Sequence, residues 1–384
     1  MESIENNLDL SQKKVILRLD LNVPLNNGII SDTTRIDKII PTINYLLKNN
    51  SKIIILSHIG RPKGKIVNEL SLRPVCDEIK KKINVDVKLI TKSITDILPN
   101  DLFKNSNEKV LMLENIRFYK EEEDDDENFG KLISCFGDLY VNDAFSCSHR
   151  AHSSITQIPR FIPSYSGLQL NVEVNALKKL TTEIEGPITC IIGGSKISSK
   201  INVIKNLVNK LDNLIIVGGM ANNILEYKGF ETGNSIKEQN CKKIIEEIFN
   251  LSKKKNCKIF YPEDVVVAKK LNGSPKTKLL KDVKSDEMIL DVGNQTIEKI
   301  KDIIKTSKTV LWNGPAGYFE NSDFANGSYE IGKEIAKETN NKKIFSVIGG
   351  GDTISVIKKI NLFDHFNFVS TAGGAFLEYL EGKE

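Results

Sequence analysis

Seven arginines, at positions 18, 35, 61, 73, 117, 150 and 160, carry every guanidinium of the chain, and none follows Arg160. Lysine serves everywhere else. A chain that uses lysine by default and keeps arginine in its first 160 residues has a use there for the planar fork. That fork grips carboxylate and phosphate through two parallel hydrogen bonds. Three of the four histidines, His58, His149 and His152, fall in the same stretch. Asp20, Asn22, His58, Arg61, Arg117 and Arg150 directly follow apolar runs, and Arg35 follows the helix-start signal at 31–34. Gathered on one rim, Arg35, Arg61, Arg117, Arg150 and the histidines would make a small site for a strongly anionic ligand. Arg18, Arg73, His152 and Arg160 are read as structural.

The second half carries glycine instead. Clusters follow one apolar run after another: Gly193, Gly194 and Ser195 before Lys196; Gly218 and Gly219; Gly293; Gly314, Pro315, Ala316 and Gly317; Gly349, Gly350 and Gly351 before Asp352 and Thr353; Gly373 and Gly374. Glycine permits tight strand-to-helix turns and close backbone approach to a ligand, and the N–H groups of the helix that follows favour anions. Several such turns on one rim argue for a polyphosphate. Neither a Walker A motif nor a Gly-x-Gly-x-x-Gly fingerprint occurs, which disfavours a P-loop or dinucleotide site. Lys196 and Lys200, four apart at a predicted helix start, would share a face toward that rim. Asp352 suits Mg²⁺, which takes one or two carboxylates with phosphate oxygens and water, and it equally suits a helix cap. Glu320 could accept ribose hydroxyls or face solvent.

The elements that must position these residues are strands and helices in alternation. Continuous β-branched runs at 15–19, 53–56, 110–113 and 139–141, then 189–192, 214–217, 258–261, 309–312, 344–348 and 368–369, predict parallel strands buried on both faces. Amphipathic stretches such as 200–211 and 239–253 lie between them, so the fold class is α/β with open parallel sheets. Ligands of such sheets bind at the strand C-termini. A break over 155–187, with a helix at 171–180, predicts a connector between two lobes. The acidic run 121–127 predicts a solvated loop or first helical turn.

Composition agrees with a globular chain. Its 384 residues are 40% hydrophobic and 27% charged, and 54 basic residues against 50 acidic leave a net charge of +4. Two domains follow from the length. Near-neutrality and the lack of a basic stripe with stacking aromatics exclude a general nucleic-acid role. No apolar run approaches the ~18–20 residues of a membrane span, and the start lacks a signal-peptide pattern. The six cysteines show no Cys-x-x-Cys spacing, which predicts reduced thiols in a cytoplasmic protein.

In order along the whole chain, the segments 18–24 (RLDLNVP), 57–64 (SHIGRPKG), 113–117 (LENIR), 141–144 (VNDA) with 149–152 (HRAH), 193–196 (GGSK) with Lys200, 312–315 (WNGP), 349–353 (GGGDT) and 370–371 (ST) resemble the phosphoglycerate kinase family. The resemblance implies reversible phosphoryl transfer from 1,3-bisphosphoglycerate to ADP, giving 3-phosphoglycerate and ATP. It implies two Rossmann-like lobes, Mg²⁺ as the metal, ATP/ADP as co-substrate, and a monomer with no nucleic-acid or membrane partner. The expected division is 1–168 for phosphoglycerate, a hinge helix at 169–186, 187–368 for nucleotide, and 369–384 returning to the N-terminal domain. By this resemblance Asp20, Asn22, Arg35, His58, Arg61, Arg117 and Arg150 hold the phosphoglycerate. Gly194, Ser195, Lys196, Lys200, Gly218, Gly219, Asn313, Pro315, Glu320, Gly350, Gly351, Asp352 and Thr353 hold the nucleotide, with the metal on Asp352. Arg35 and Lys196, with N–H donors at Gly350 and Gly373, are expected to stabilise the transferring phosphoryl group, and the lobes are expected to close on the two substrates. Two other readings remain at this point: another acyl-phosphate-forming kinase, and a nucleotide-binding scaffold that has lost activity.

Three departures from the family pattern carry expectations. Ser195 replaces an alanine and is expected to be harmless. Asn294 and Gln295 replace Pro-Lys and are expected to alter the loop after Gly293. Ala372 replaces the first of three glycines, which costs about 1–2 kcal/mol if that position needs a positive φ; Phe376 replaces a serine.

Overall fold

The computed structural model describes residues 2–6, 8–105, 107–182 and 184–382. The chain divides into two compact units, Met1–Leu177 and Lys178–Glu384. The expected connector helix exists, and the division falls inside it. It spans Leu168–Thr182, longer than the 171–180 read from the apolar pattern and shorter than the hinge helix expected over 169–186.

Among the described residues the first unit holds nine strands: β1 Glu2–Ser3, β2 Lys14–Leu19, β3 Leu25–Asn26, β4 Ile29–Ile30, β5 Lys52–Leu56, β6 Val87–Ile90, β7 Val110–Leu113, β8 Leu139–Asp143 and β9 Ser164–Ser166. Its helices are α1 Thr34–Lys48, α2 Arg73–Ile83, α3 Lys120–Glu123, α4 Glu127–Ser134 and α5 Leu168–Thr182. All the strands but β3 and β4 form one sheet in the order β1-β9-β8-β2-β5-β7-β6, parallel throughout. Alternation in β2 explains why both faces need covering. Val15, Leu17 and Leu19 join a core with Ile36, Ile39 and Ile43 of α1 and Val75 and Ile79 of α2. Ile16 points the other way, into a core with Phe129 and Ile133 of α4 and Ile158. Each such fully buried side chain contributes about 1.5–3 kcal/mol.

The second unit repeats the plan. Its strands are β10 Ile188–Ile192, β11 Asn213–Ile216, β12 Lys258–Phe260, β13 Asp264–Ala268, β14 Lys276–Leu279, β15 Met288–Val292, β16 Thr309–Asn313, β17 Phe345–Gly349 and β18 Phe368–Ser370. Its helices are α6 Ile201–Leu207, α7 Gly219–Tyr227, α8 Lys242–Lys254, α9 Asn294–Thr306, α10 Asn326–Asn340, α11 Gly351–Lys359 and α12 Gly374–Leu380. The main sheet runs β12-β11-β10-β16-β17-β18, again parallel. A separate antiparallel sheet, β14-β13-β15, is an addition that the strand pattern does not predict. Helix α12 ends against α6, where Asn206 Nδ2 donates to the Leu380 carbonyl.

Several local expectations are settled by the structure. The helix expected over 200–211 is only α6, ending at Leu207. Lys200 closes a 3₁₀ turn before it and Lys196 lies outside both, so the two lysines share no helical face. Glu238 fixes this turn by accepting from the Ser198 backbone N–H and hydroxyl. In the acidic run, Glu122 is fully buried rather than solvated. After Gly293 no irregular loop follows, because α9 starts at Asn294, and buried Asp264 accepts from the N–H groups of Gln295 and Thr296. Finally, Ala372 does not take a positive φ, whereas Gly373 does at 57°. The alanine therefore carries no left-handed strain.

Candidate active site

In the first unit the site residues follow the C-terminal ends of β2, β5, β7 and β8, except Arg35 at the start of α1. Asp20, one residue past β2, receives Arg35 Nη1 on both carboxylate oxygens at 2.7 and 2.8 Å. Asn22 accepts from the Gly60 N–H at 2.9 Å, which ties the loop after β2 to the loop after β5. Ser57 strengthens the tie, donating to the Leu19 carbonyl and accepting from the Leu21 N–H. Buried Asn115, which sequence reading missed, donates to the Ile59 and Leu70 carbonyls and accepts from the Arg117 N–H. It thereby sets the turn that carries Arg117, whose Nη1 donates to the Gly60 carbonyl at 3.2 Å. Arg61 and Arg150 are exposed. His58 is buried against Arg18, with Nη2 and Nδ1 3.2 Å apart.

These cations share one field. Burial, then the charges of Arg18, Arg117, Arg35 and His152, hold the His58 imidazole well below its usual range. Burial also presses Arg117 downward; Arg18 and Arg150 add to this, while Cys147 and Glu123 oppose it. Like charges kept this close are costly without an anion to share, which is the electrostatic form of a phosphate or carboxylate site.

In the second unit a cleft of about 320 Å³ lies at the strand C-termini, lined by Gly194, Ser195, Gly218, Gly219, Pro315, Glu320 and Asp352 among the expected residues. Ile236, Leu271, Ile289, Leu290 and Phe319 give it an apolar wall. Most of that wall comes from β15 and loops that sequence reading left unassigned. The continuous apolar run Met288-Ile289-Leu290 before Asp291 was the available signal. Apolar walls with a few polar groups suit a nucleotide better than a bare phosphate.

Around the cleft, Lys200 Nζ donates to Asn313 Oδ1 at 2.9 Å. Burial lowers the Lys200 pKa, with Cys190, Asp352 and Glu381 opposing. Among the described residues, buried Asn313 Nδ2 has no hydrogen-bond partner. Thr353 is fully buried and accepts from the Gly314 N–H at 2.7 Å, so it braces the turn. Gly350 caps α11 at φ 91°, and Gly351 and Asp352 open its first turn. Lys196 is exposed outside the cleft lining.

Asp291 also borders the cleft and is buried. Its carboxylate accepts from the N–H groups of Val292 and Gly327, both at 2.8 Å. Burial nevertheless pushes its pKa up to about 7, those two hydrogen bonds opposing. An unfolded aspartate titrates near about 4. The folded state therefore holds this proton more tightly, and the resulting stability is full at about pH 4, declines as pH rises and is lost above about 7. Relative to Asp291→Asn, the native chain should lose on the order of 3 kcal/mol over that interval. Urea midpoints measured across the range check it; parallel curves for the two proteins would refute it.

Two parallel α/β units, one with a cationic edge and the other with a glycine-walled cleft beside Lys200 and Asp352, define a phosphotransferase acting on anionic substrates. The comparisons make this specific. The family model described as phosphoglycerate kinase matches residues 5–383. The phosphoglycerate kinase of Wolbachia pipientis subsp. Culex pipiens (strain wPip) is 44% identical over 100% of this chain and 96% of its own. That of Dictyoglomus turgidum is 41% identical over 98% of this chain and 94% of its own. The solved phosphoglycerate kinase of Coxiella burnetii superposes with TM-score 0.89 at 36% identity, covering 100% of this chain and 96% of that one. The chain belongs to the phosphoglycerate kinase family. Its reaction is the glycolytic transfer of a phosphoryl group between 1,3-bisphosphoglycerate and ADP.

Proposed function

We propose that the first unit grips the phosphoglycerate and the second the nucleotide. The observation that carries this division is segregation: every arginine lies before the boundary at Leu177, and the glycine-walled cleft lies after it. Asp20, Asn22, Arg35, His58, Arg61, Arg117 and Arg150 hold the phosphorylated acid. Gly194, Ser195, Lys196, Lys200, Gly218, Gly219, Asn313, Pro315, Glu320 and Gly350 to Thr353 hold ADP or ATP. Thr353 acts through the Gly314 turn that it braces.

Mg²⁺ fits the second unit, since the Asp352 carboxylate borders the cleft at the first turn of α11. One carboxylate is what this ion takes when nucleotide oxygens and water complete its shell. When bound, it neutralises phosphate charge. No general base is needed, because the accepting carboxylate is already ionised at neutral pH. Arg35 and Lys196 stabilise the equatorial oxygens of the transferring group, assisted by N–H groups at Gly350 and Gly373. With the two substrates on different units, transfer requires the units to close, α5 serving as the connector. The working form is a cytoplasmic monomer.

Lys200→Ala separates the two halves of this reading. It should weaken ADP binding by about tenfold or more, the scale of one lost charge-assisted contact, and leave 3-phosphoglycerate binding within about threefold. Calorimetric titration of each ligand is the check, and equal losses for both would contradict the assignment.

A further inference from the structure

A buried polar chain runs through the first unit behind the phosphoglycerate residues. Arg18, in the middle of the sheet on β2, is fully buried. Its Nε donates to Ser154 Oγ at 2.9 Å and its Nη1 to the Leu19 carbonyl at 2.6 Å. Its Nη2 meets His58 Nδ1 at 3.2 Å and Cys147 Sγ at 3.7 Å. Ser154 in turn donates through its hydroxyl to Glu122 Oε1 at 2.6 Å and through its backbone N–H to Oε2 at 2.8 Å. Glu122, like Arg18, is fully buried. Two opposite charges thus lie inside the unit, bridged by one serine.

Donor and acceptor inventory decides what this does to His58. A guanidinium has only donors. The nitrogen facing it must therefore offer a lone pair, so Nδ1 is the acceptor and the proton of the neutral ring sits on Nε2. Protonating Nδ1 would set one N–H against another. We propose that Arg18 is a positioning residue that holds the His58 imidazole as its Nε2–H tautomer, and that Glu122, through Ser154, is the countercharge that holds Arg18. This rests on the reading of His58 as a phosphoglycerate ligand and adds how that ligand is prepared. The ring meets the anionic substrate as an oriented neutral donor, and its grip does not tighten as pH falls.

The surroundings act in the same direction. Burial, then the charges of Arg18 on β2, Arg117 after β7, Arg35 on α1 and His152 after β8, all disfavour the imidazolium. Cys147 Sγ lies 3.9 Å from Nδ1, at the long end of hydrogen-bond range, and as a weak donor or acceptor it leaves the nearer guanidinium to decide where the proton sits. His152 Nδ1 lies 3.7 Å from Glu122 Oε1, the oxygen that accepts from the Ser154 hydroxyl. Through Ser154, Glu122 is the group that holds Arg18 and, through it, His58.

The experiment uses full-length protein with ¹⁵N-labelled histidine and long-range ¹H–¹⁵N correlation spectra, recorded from about pH 5 to 8. His58 should show the Nε2–H pattern throughout, with no titration near the ordinary value of about 6.5. An Nδ1–H pattern, or ordinary titration, in the native protein would overturn the proposal. Ser154→Ala and the charge-balanced pair Arg18→Met with Glu122→Gln test the chain. Both should give mixed tautomers and raise KM for 3-phosphoglycerate about tenfold, with KM for MgATP within about twofold. Native His58 spectra in Ser154→Ala would remove Ser154 and Glu122 from the chain, and native spectra in the pair would remove Arg18; either result refutes it. If the paired variant does not fold, the native spectra and Ser154→Ala decide. His58→Ala keeps the two claims apart: an unchanged KM for 3-phosphoglycerate beside the Nε2–H pattern would defeat the ligand reading and leave the tautomer finding standing.

Discussion

Arg35→Ala should lower kcat by at least about 100-fold while leaving the affinity for ADP within about threefold. The argument begins with what Arg35 does in the fold. It stands at the start of α1, and its side chain, 28% exposed, holds both oxygens of Asp20. A partly exposed ion pair contributes at most about 1 kcal/mol to stability, so its loss leaves the unit folded. The same contact restrains the guanidinium, and restrained donors are those that stabilise charge developing on a phosphoryl group without reorganising. Arg35→Lys keeps the charge but not the fork, so it should recover only part of the rate. Steady-state kinetics in the direction of ATP consumption, with each substrate varied, are the measurement. A kcat equal to that of the native enzyme would remove Arg35 from the transition state.

The sheets were legible because buried parallel strands cannot hide their composition. The runs of β2, β5, β10 and β16 are β-branched and apolar along almost their whole length. The β14-β13-β15 sheet was not legible for the opposite reason. Strand β14 is the largely exposed sequence KTKL, and its partners are read only once they pair. The site divided in the same way. Side chains that carry charge to a strand end or a helix start announce themselves, as Arg117, Arg35 and Asp352 do. Groups that act through burial do not: Glu122 sits in an acidic run that reads as solvent-facing, and only the fold brings Ser154 and Arg18 to it. The lysine pair failed for a non-local reason: the turn before α6 is fixed by Glu238, 40 residues downstream of Ser198, which no local pattern announces.

The glycine cleft makes the sharper structural prediction. Gly314 has φ 103°, and a methyl group there would lie 2.3 Å from the Gly193 carbonyl oxygen, 2.5 Å from its carbon and 2.8 Å from its Cα. All three neighbours are backbone, so no side chain can swing aside. The turn is also pinned from both ends: Thr353 accepts from the Gly314 N–H, and the Gly314 carbonyl accepts from buried Trp312 Nε1 at 2.8 Å. Gly314→Ala therefore combines backbone strain with a forced separation of the β10 and β16 loops, and should destabilise the second unit by about 3 kcal/mol or more. The loops so displaced carry Gly194 and Pro315, which line the nucleotide cleft. ADP affinity should accordingly fall by about tenfold or more even at temperatures where the variant stays folded, while 3-phosphoglycerate affinity holds within about threefold. Urea unfolding followed by the fluorescence of Trp312, the chain's one tryptophan, reads the first effect at its source; calorimetric titration reads the second. A variant with native stability and native ADP affinity would mean that the two loops do not meet backbone to backbone, and the account of the cleft floor would fall with it.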